Sequence, residues 1–267
     1  MQAPVAPVAL VVDDEPIVRE LLCRLIQTAG FTPIPQENGS AALERCLGNG
    51  LERPSLVITD INMPGVDGIE MVRRLRRFWP ALPAVFVTGN VQWASRATPL
   101  GQVVLKPFDI EAVVGAARQA VLVTALDDAL GLTGAPMGNL QVVDSATRAL
   151  HIVAQRGFGP AFLGFFRTGA TGSAACGRAL ESEGPVVVED VRTSPVYSTE
   201  SRKAMLDAEA LSCQSTPIMG RGDRVLGVLS THYRAPHRFA LGELDQVDKI
   251  AGHTARLLEL FEEESLA

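Results

Sequence analysis

Between Val8 and Val121, five short apolar runs alternate with amphipathic stretches, and that alternation restricts the first half of the chain to one architecture. The runs are VALVV (8–12), FTPIP (31–35), SLVIT (55–59), AVFVT (84–88) and QVVLK (102–106). Between them, residues 16–29 place Ile17, Leu21, Leu22, Leu25 and Ile26 on one helical face. Residues 67–78 turn Ile69, Met71, Val72 and Leu75 one way and Arg73, Arg74, Arg76 and Arg77 the other. Strands that are apolar throughout and joined by helices are covered on both faces. The expectation is an α/β domain with a doubly wound, five-stranded parallel sheet.

Beyond residue 137 the pattern changes. NLQVVD (139–144), ALHIVAQRG (149–157), PVVVED (185–190), LSCQSTPIM (211–219) and RVLGVLSTHY (224–233) read as strands, with SATR and GRGD as hairpin turns. Helical stretches are expected at 159–166, 174–182, 200–209 and 241–262. Strand pairs with helices at both ends predict an α+β domain with an antiparallel sheet and helices on one face. IEAVVGAARQAVLVTALDDAL (110–130) keeps helical spacing throughout, so a continuous helix is expected to join the halves until GLTGAPMG (131–138) ends it. The expected division is a first domain over 1–123, a helical linker over 124–136 and a second domain over 137–267.

A chain of 267 residues accommodates two such domains, and 47% hydrophobic residues supply their cores. The net charge is −6 and no run of Lys or Arg exceeds two, so nucleic acid is not an expected partner. The opening MQAPVAPVALVVDDE lacks basic residues before an apolar core, and no stretch of ~18 apolar residues follows. Neither a signal peptide nor a membrane span is expected, and the expected location is cytoplasmic. Cys23, Cys46, Cys176 and Cys213 form no CxxC pair and are expected to be reduced thiols.

In an open parallel sheet, ligands collect at the carboxyl ends of the strands. Here the first strand ends in Asp13-Asp14-Glu15, the third in Asp60, the fourth in Thr88 and the fifth in Lys106-Pro107. Converging carboxylates repel one another unless a cation lies among them, and Mg²⁺ takes oxygen ligands while keeping several waters. Such a site suits phosphoryl transfer. Asp60 is the candidate nucleophile, Lys106 and Mg²⁺ neutralise phosphoryl oxygens, and Thr88 donates a hydrogen bond. Singly, each residue has a plainer role: Asp13 or Asp14 capping a helix near Pro16, Asp60 opening a turn, Thr88 closing a strand, Lys106 in solvent. Four such residues at four strand ends favour the site.

VVDDE, TDINMPGVDG, VFVTG and VLKPF, in that order, resemble the receiver domain of two-component response regulators over residues 6–123. The resemblance implies a flavodoxin-like, CheY-like fold with Asp60 as phosphoacceptor. It implies Mg²⁺ held by Asp14, Asp60 and the Asn62 carbonyl, with Asp13 acting through water, and a cis proline after Lys106. The implied partner is a sensor histidine kinase or a phosphotransfer protein. Two departures bear on how phosphorylation is read out rather than on phosphoacceptance. Val103 stands where the family carries Tyr or Phe. The segment from Thr88 to Lys106 is also short by about one helical turn of ~3.6 residues, and GNVQWASRATPLG, with Pro99 and two glycines, predicts only a brief helix.

MGNLQVVDSATRALHIVAQRGF, ACGRAL, PVVVEDV and QSTPIMGRGDRVLGVLSTHY, followed by the terminal helix, resemble a GAF domain over 137–262. The resemblance implies a small-molecule-binding or dimerising module, with no ligand specified. Phe162, Phe165 and Phe166 share a helical face, for which core packing is expected over a pocket. Cys176 is followed by glycine, whereas bilin-binding relatives carry histidine there, so no covalent chromophore is expected. His151, His232, His237 and His253 lack metal-ligand spacing. The stripe Leu244, Val247, Ile250, Ala251, Thr254, Leu257, Leu258 and Phe261 fits pairing either with the junction helix or with its own copy in a second subunit, and a homodimer built on these helices is expected.

The expected function is a response regulator without an enzymatic output, in which phosphorylation of Asp60 changes the conformation or association of the GAF half. One alternative is a GAF-based small-molecule sensor whose receiver is a docking module. An aspartate-nucleophile phosphatase is disfavoured, because Asn62 stands where such enzymes carry a second acid.

Overall fold

The computed structural model describes residues 6–48, 53–167 and 173–261 in full, with backbone to 263. The chain forms two compact units, one running to Thr124 and taking in the chain again from Glu259, the other from Ala125 to Leu258.

In the first unit β1 (Val8–Val12), β2 (Thr32–Gln36), β3 (Leu56–Asp60), β4 (Ala84–Thr88) and β5 (Gln102–Leu105) pair in parallel in the order β2-β1-β3-β4-β5. Every residue of β3 and β4 is buried, as expected for central strands covered on both faces. The helices between them are α1 (Pro16–Thr28), α2 (Gly39–Leu47), α3 (Gly68–Leu75) and α4 (Val91–Ala97). The brevity of α4 follows from the nearby Pro99 and glycines. In α3, Ile69, Met71, Val72 and Leu75 are buried as the spacing predicts. The apolar face expected for α1 is narrower in the structure: Leu22 and Ile26 are buried, but Ile17 is 84% and Leu21 44% exposed. The strand order reverses between β1 and β3, so the loops after these two strands diverge and leave a crevice at their carboxyl ends.

A single helix, α5 (Ile110–Thr133), carries the chain from the first unit into the second. There β6 (Met137–Val143), β7 (Leu150–Arg156), β8 (Val186–Val188), β9 (Ser212–Met219) and β10 (Val225–Tyr233) form an antiparallel sheet of order β7-β6-β10-β9-β8. Its helices are α6 (Pro160–Arg167), α7 (Ala175–Ser182), α8 (Thr199–Asp207) and α9 (Leu241–Glu263).

Helices were expected on one face of this sheet, and the structure places them on both. Side chains alternate along β6. Gly138 packs against Leu126 and Leu130 of α5, while Asn139 and Gln141 point to the side lined by Phe162 and Phe166 of α6 and Cys176 of α7. Along α9, Val247, Ala251, Thr254, Leu257 and Leu258 are buried within the single chain, while Leu244 and Ile250 are half-buried. Phe162 and Phe166 do pack in the core, with ring centroids 4.5 Å apart, although both also border a cleft.

Candidate functional site

The strand order of the first unit brings three of the predicted residues together. Asp13 follows β1, Asp60 ends β3, and Lys106 follows β5. The Lys106 Nζ donates to Asp60 Oδ1 at 2.7 Å and to Asp13 Oδ2 at 3.1 Å. Asp13 is fully buried and Asp60 is 6% exposed. The Lys106–Pro107 peptide is cis. Backbone bonds hold the ladder in register at this edge: Ile61 N–H donates to the Val87 carbonyl at 3.2 Å, and Lys106 N–H to the Thr88 carbonyl at 2.9 Å.

Each carboxylate has a second fixed contact. Asp13 Oδ1 accepts from Glu15 N–H at 2.9 Å, and Asp60 Oδ2 accepts from Asn62 N–H. The helix-capping alternative for Asp13 is therefore not what the structure shows, since the N-cap of α1 is Glu15 and no side chain caps it. Thr88, buried at the end of β4, accepts from Asn90 N–H at 3.1 Å, which occupies a lone pair and leaves its hydroxyl hydrogen to donate. Asp14 and Asn62 are exposed at the rim.

The electrostatics are incomplete. Burial raises the Asp13 pKa above the ordinary carboxylate value, although the Glu15 N–H and Lys106 pull the other way. Burial alone would lower the Lys106 pKa, but its hydrogen bond to Asp60 and the two negative charges outweigh this, and it is raised. Lys106 therefore remains an ammonium at neutral pH. Three carboxylates (Asp13, Asp14, Asp60) against one ammonium leave two negative charges at the rim, the deficit that a divalent cation matches. Among the described residues no three His, Cys, Asp or Glu side chains form a metal-holding cluster. A cation held here would complete its shell with main-chain carbonyl and water, the coordination Mg²⁺ prefers.

One supporting residue, Gly68, enters the sequence reading only within the helical stretch 67–78 and the TDINMPGVDG motif. A Cβ on Gly68 would lie 2.1 Å from the Asp60 carbonyl oxygen, and Thr59 Oγ1 donates to that same oxygen at 2.8 Å. The glycine lets α3 start directly against the Asp60 backbone. Asp67 caps that helix, its Oδ1 accepting from Glu70 N–H at 2.7 Å.

In the second unit, burial pushes the Cys176 thiol up to about 11 and Cys213 up to about 12, so neither is a thiolate at neutral pH. His232 is buried against Asn139, and burial takes its pKa down to about 3. Among the described residues, no helix is long and apolar enough to cross a membrane.

The comparisons with known proteins follow this division. The profile of the response regulator receiver domain matches residues 9–118, and that of the GAF domain matches residues 115–259. The DNA-binding transcriptional regulator NtrC of Escherichia coli (strain K12) is 30% identical over 115 residues, covering 42% of this chain and 24% of that protein. Response regulator MprA of Mycolicibacterium vanbaalenii is 31% identical over 143 residues, covering 52% of this chain and 61% of that one. The chain thus spans less than two thirds of either relative. The solved GAF domain of a phosphoenolpyruvate-protein phosphotransferase from Coxiella burnetii is 21% identical, with a TM-score of 0.49, over 58% of this chain and 90% of that one. With a GAF match over more than half its length and a receiver match ahead of it, the chain belongs to the GAF domain family and carries an N-terminal response regulator receiver domain.

Proposed function

We propose that this chain is a two-component response regulator whose receiver accepts a phosphoryl group on Asp60 from a histidine kinase or phosphotransfer protein. The observation that carries the reading is the Lys106 ammonium bridging Asp60 Oδ1 and Asp13 Oδ2 at the carboxyl ends of β1, β3 and β5 of one parallel sheet. An Asp60 carboxylate oxygen attacks phosphorus, the bond from phosphorus to the donor breaks, and the donor leaves with that electron pair. Lys106 pairs with the phosphoryl oxygens, and Thr88 donates its hydroxyl hydrogen to one of them. Asp14, Asp60 and the Asn62 carbonyl would hold Mg²⁺, with Asp13 acting through water, and the ion supplies charge neutralisation there. With Asn62 exposed where a phosphatase needs a second acid, the acyl phosphate persists instead of turning over. The added charge, about −2, then shifts an existing equilibrium of the receiver that reaches the GAF unit through α5.

The test is incubation with acetyl phosphate and Mg²⁺, followed by intact mass. The native chain gains one phosphoryl group and Asp60→Asn gains none. Equal gain in both, or gain in neither, overturns the reading.

A further inference from the structure

Helices α2 and α3 each follow a strand of the parallel sheet and run back along it, so their last turns gather at the amino-end edge of that sheet. The Asp60 crevice lies at the opposite edge. Two large apolar side chains stand in solvent at the amino-end edge. Leu47, the last residue of α2, is 42% exposed, and Phe78, just past α3, is 62% exposed. The backbone at Phe78 is fixed: its N–H and that of Trp79 both donate to the Leu75 carbonyl at 3.0 Å, and Trp79 is half-buried against the core.

Arginines crowd the same edge. Arg73, Arg74 and Arg77 are exposed on α3 and the turn after it. All three act on one carboxylate, since Glu70 is held below the ordinary range first by its hydrogen bond from Arg74, at 2.7 Å, and then by the charges of Arg77 and Arg73. Arg76 donates to the Leu82 carbonyl at 2.7 and 3.1 Å, and Arg53 donates to the Ala81 carbonyl. Both carbonyls precede β4 at this edge, and a bond to a carbonyl leaves a guanidinium its full charge. α2 adds one charge of each sign, Glu44 and Arg45. The edge is therefore basic on a chain whose net charge is −6.

The occupant of such an edge is anionic and accepts apolar side chains. A second copy offering the same edge brings like charge. A nucleic-acid strand stacks its bases on aromatic faces and leaves Leu47 without a role. An anionic bilayer surface takes both kinds of group: headgroups pair with the arginines, and Phe78 and Leu47 enter the boundary between headgroups and acyl chains.

We propose that this edge of the receiver docks on an anionic lipid surface, with Phe78 and Leu47 inserted and Arg53, Arg73, Arg74, Arg76 and Arg77 on the headgroups. The contact is peripheral and needs no membrane-spanning helix. Because Asp60 lies at the other edge of the sheet, a docked receiver keeps its crevice open to a phosphodonor. The electrostatic share of the binding is screened by salt.

The test is co-sedimentation of the full chain with vesicles of phosphatidylcholine and phosphatidylglycerol in equal parts, against vesicles of phosphatidylcholine alone. The expected result is binding to the anionic vesicles at least tenfold tighter than to the neutral ones, and its loss as salt is added. The double variant Arg73→Glu/Arg77→Glu should weaken it at least tenfold, and Phe78→Ser should weaken it at constant charge. If the double variant fails to fold, Phe78→Ser and the two vesicle types on the unaltered chain decide. Equal binding to both vesicles, binding to neither, full binding by Phe78→Ser, or tighter binding to single-stranded polyuridylate than to the anionic vesicles would each overturn the proposal. Failure here is distinguishable from failure of the phosphorylation reading, because acetyl phosphate labels Asp60 without vesicles.

Discussion

Lys106 holds two carboxylates of which the more buried, Asp13, already has a raised pKa. Replacing it with Ala leaves Asp13 charged, buried and without its ammonium, a loss of about 1–3 kcal/mol for an unsatisfied polar partner. The sign with pH follows from the direction of the shift. A carboxyl whose folded pKa lies above its unfolded value disfavours folding once pH rises past the unfolded value, and the removal of Lys106 enlarges that gap. Lys106→Ala should therefore be most destabilised near neutral pH and approach the native chain as pH falls toward the ordinary carboxylate range. Chemical denaturation across that range measures it. Gly68 is constrained differently. With a Cβ 2.1 Å from the Asp60 carbonyl, Gly68→Ala must push α3 off the end of β3, costing about 1–3 kcal/mol as overpacking does and slowing phosphorylation by displacing Asp60. The acidic residues were legible because a carboxylate at the end of an apolar strand demands a counter-charge. Gly68 was not, because its role depends on a backbone approach that sequence spacing does not reveal.

At the scale of elements, the parallel strands were readable wherever burial on both faces made them apolar throughout, as in β3 and β4. The second sheet was harder. Asn139 and Gln141 alternate with Leu140 and Val142, which reads as polar side out and apolar side in. Both faces are in fact covered, and the polar positions are the interior ones toward α6 and α7. His232, in the same patch, makes this measurable. Burial takes its folded pKa down to about 3, below the ordinary histidine value of about 6.5, so the buried neutral ring contributes stability above pH ~6.5 that is lost as pH falls toward 3. The slope attributable to this one proton approaches about 1.4 kcal/mol per pH unit between those limits. Both tyrosines, Tyr197 and Tyr233, lie in the second unit, and both tryptophans, Trp79 and Trp93, in the first. Urea unfolding followed at the tyrosines should show the slope in the native chain and its reduction by about one proton in His232→Phe, while the tryptophan transition keeps its pH dependence.

For the whole molecule, the informative element is α5, a single helix of 24 residues that begins in the receiver and ends in the GAF unit. Its apolar residues recur without a break between 110 and 130, which is why a continuous helix was legible and a flexible linker was not. Val103 stands where the family carries an aromatic, and α5 is one of two places where the chain passes between the units, the other being at Leu258–Glu259. Thr124 sits at the passage between the units. Proline there deletes one i→i−4 hydrogen bond and clashes with the preceding turn, at ~3 kcal/mol or more, which kinks or breaks the helix locally. If α5 transmits the signal, acetyl phosphate changes the hydrogen exchange of β6, β9 and β10 in the native chain but not in Thr124→Pro, while both gain the same mass at Asp60. An exchange response that survives the proline would show that coupling does not run along the helix. No response in the native chain would make the GAF unit indifferent to the receiver.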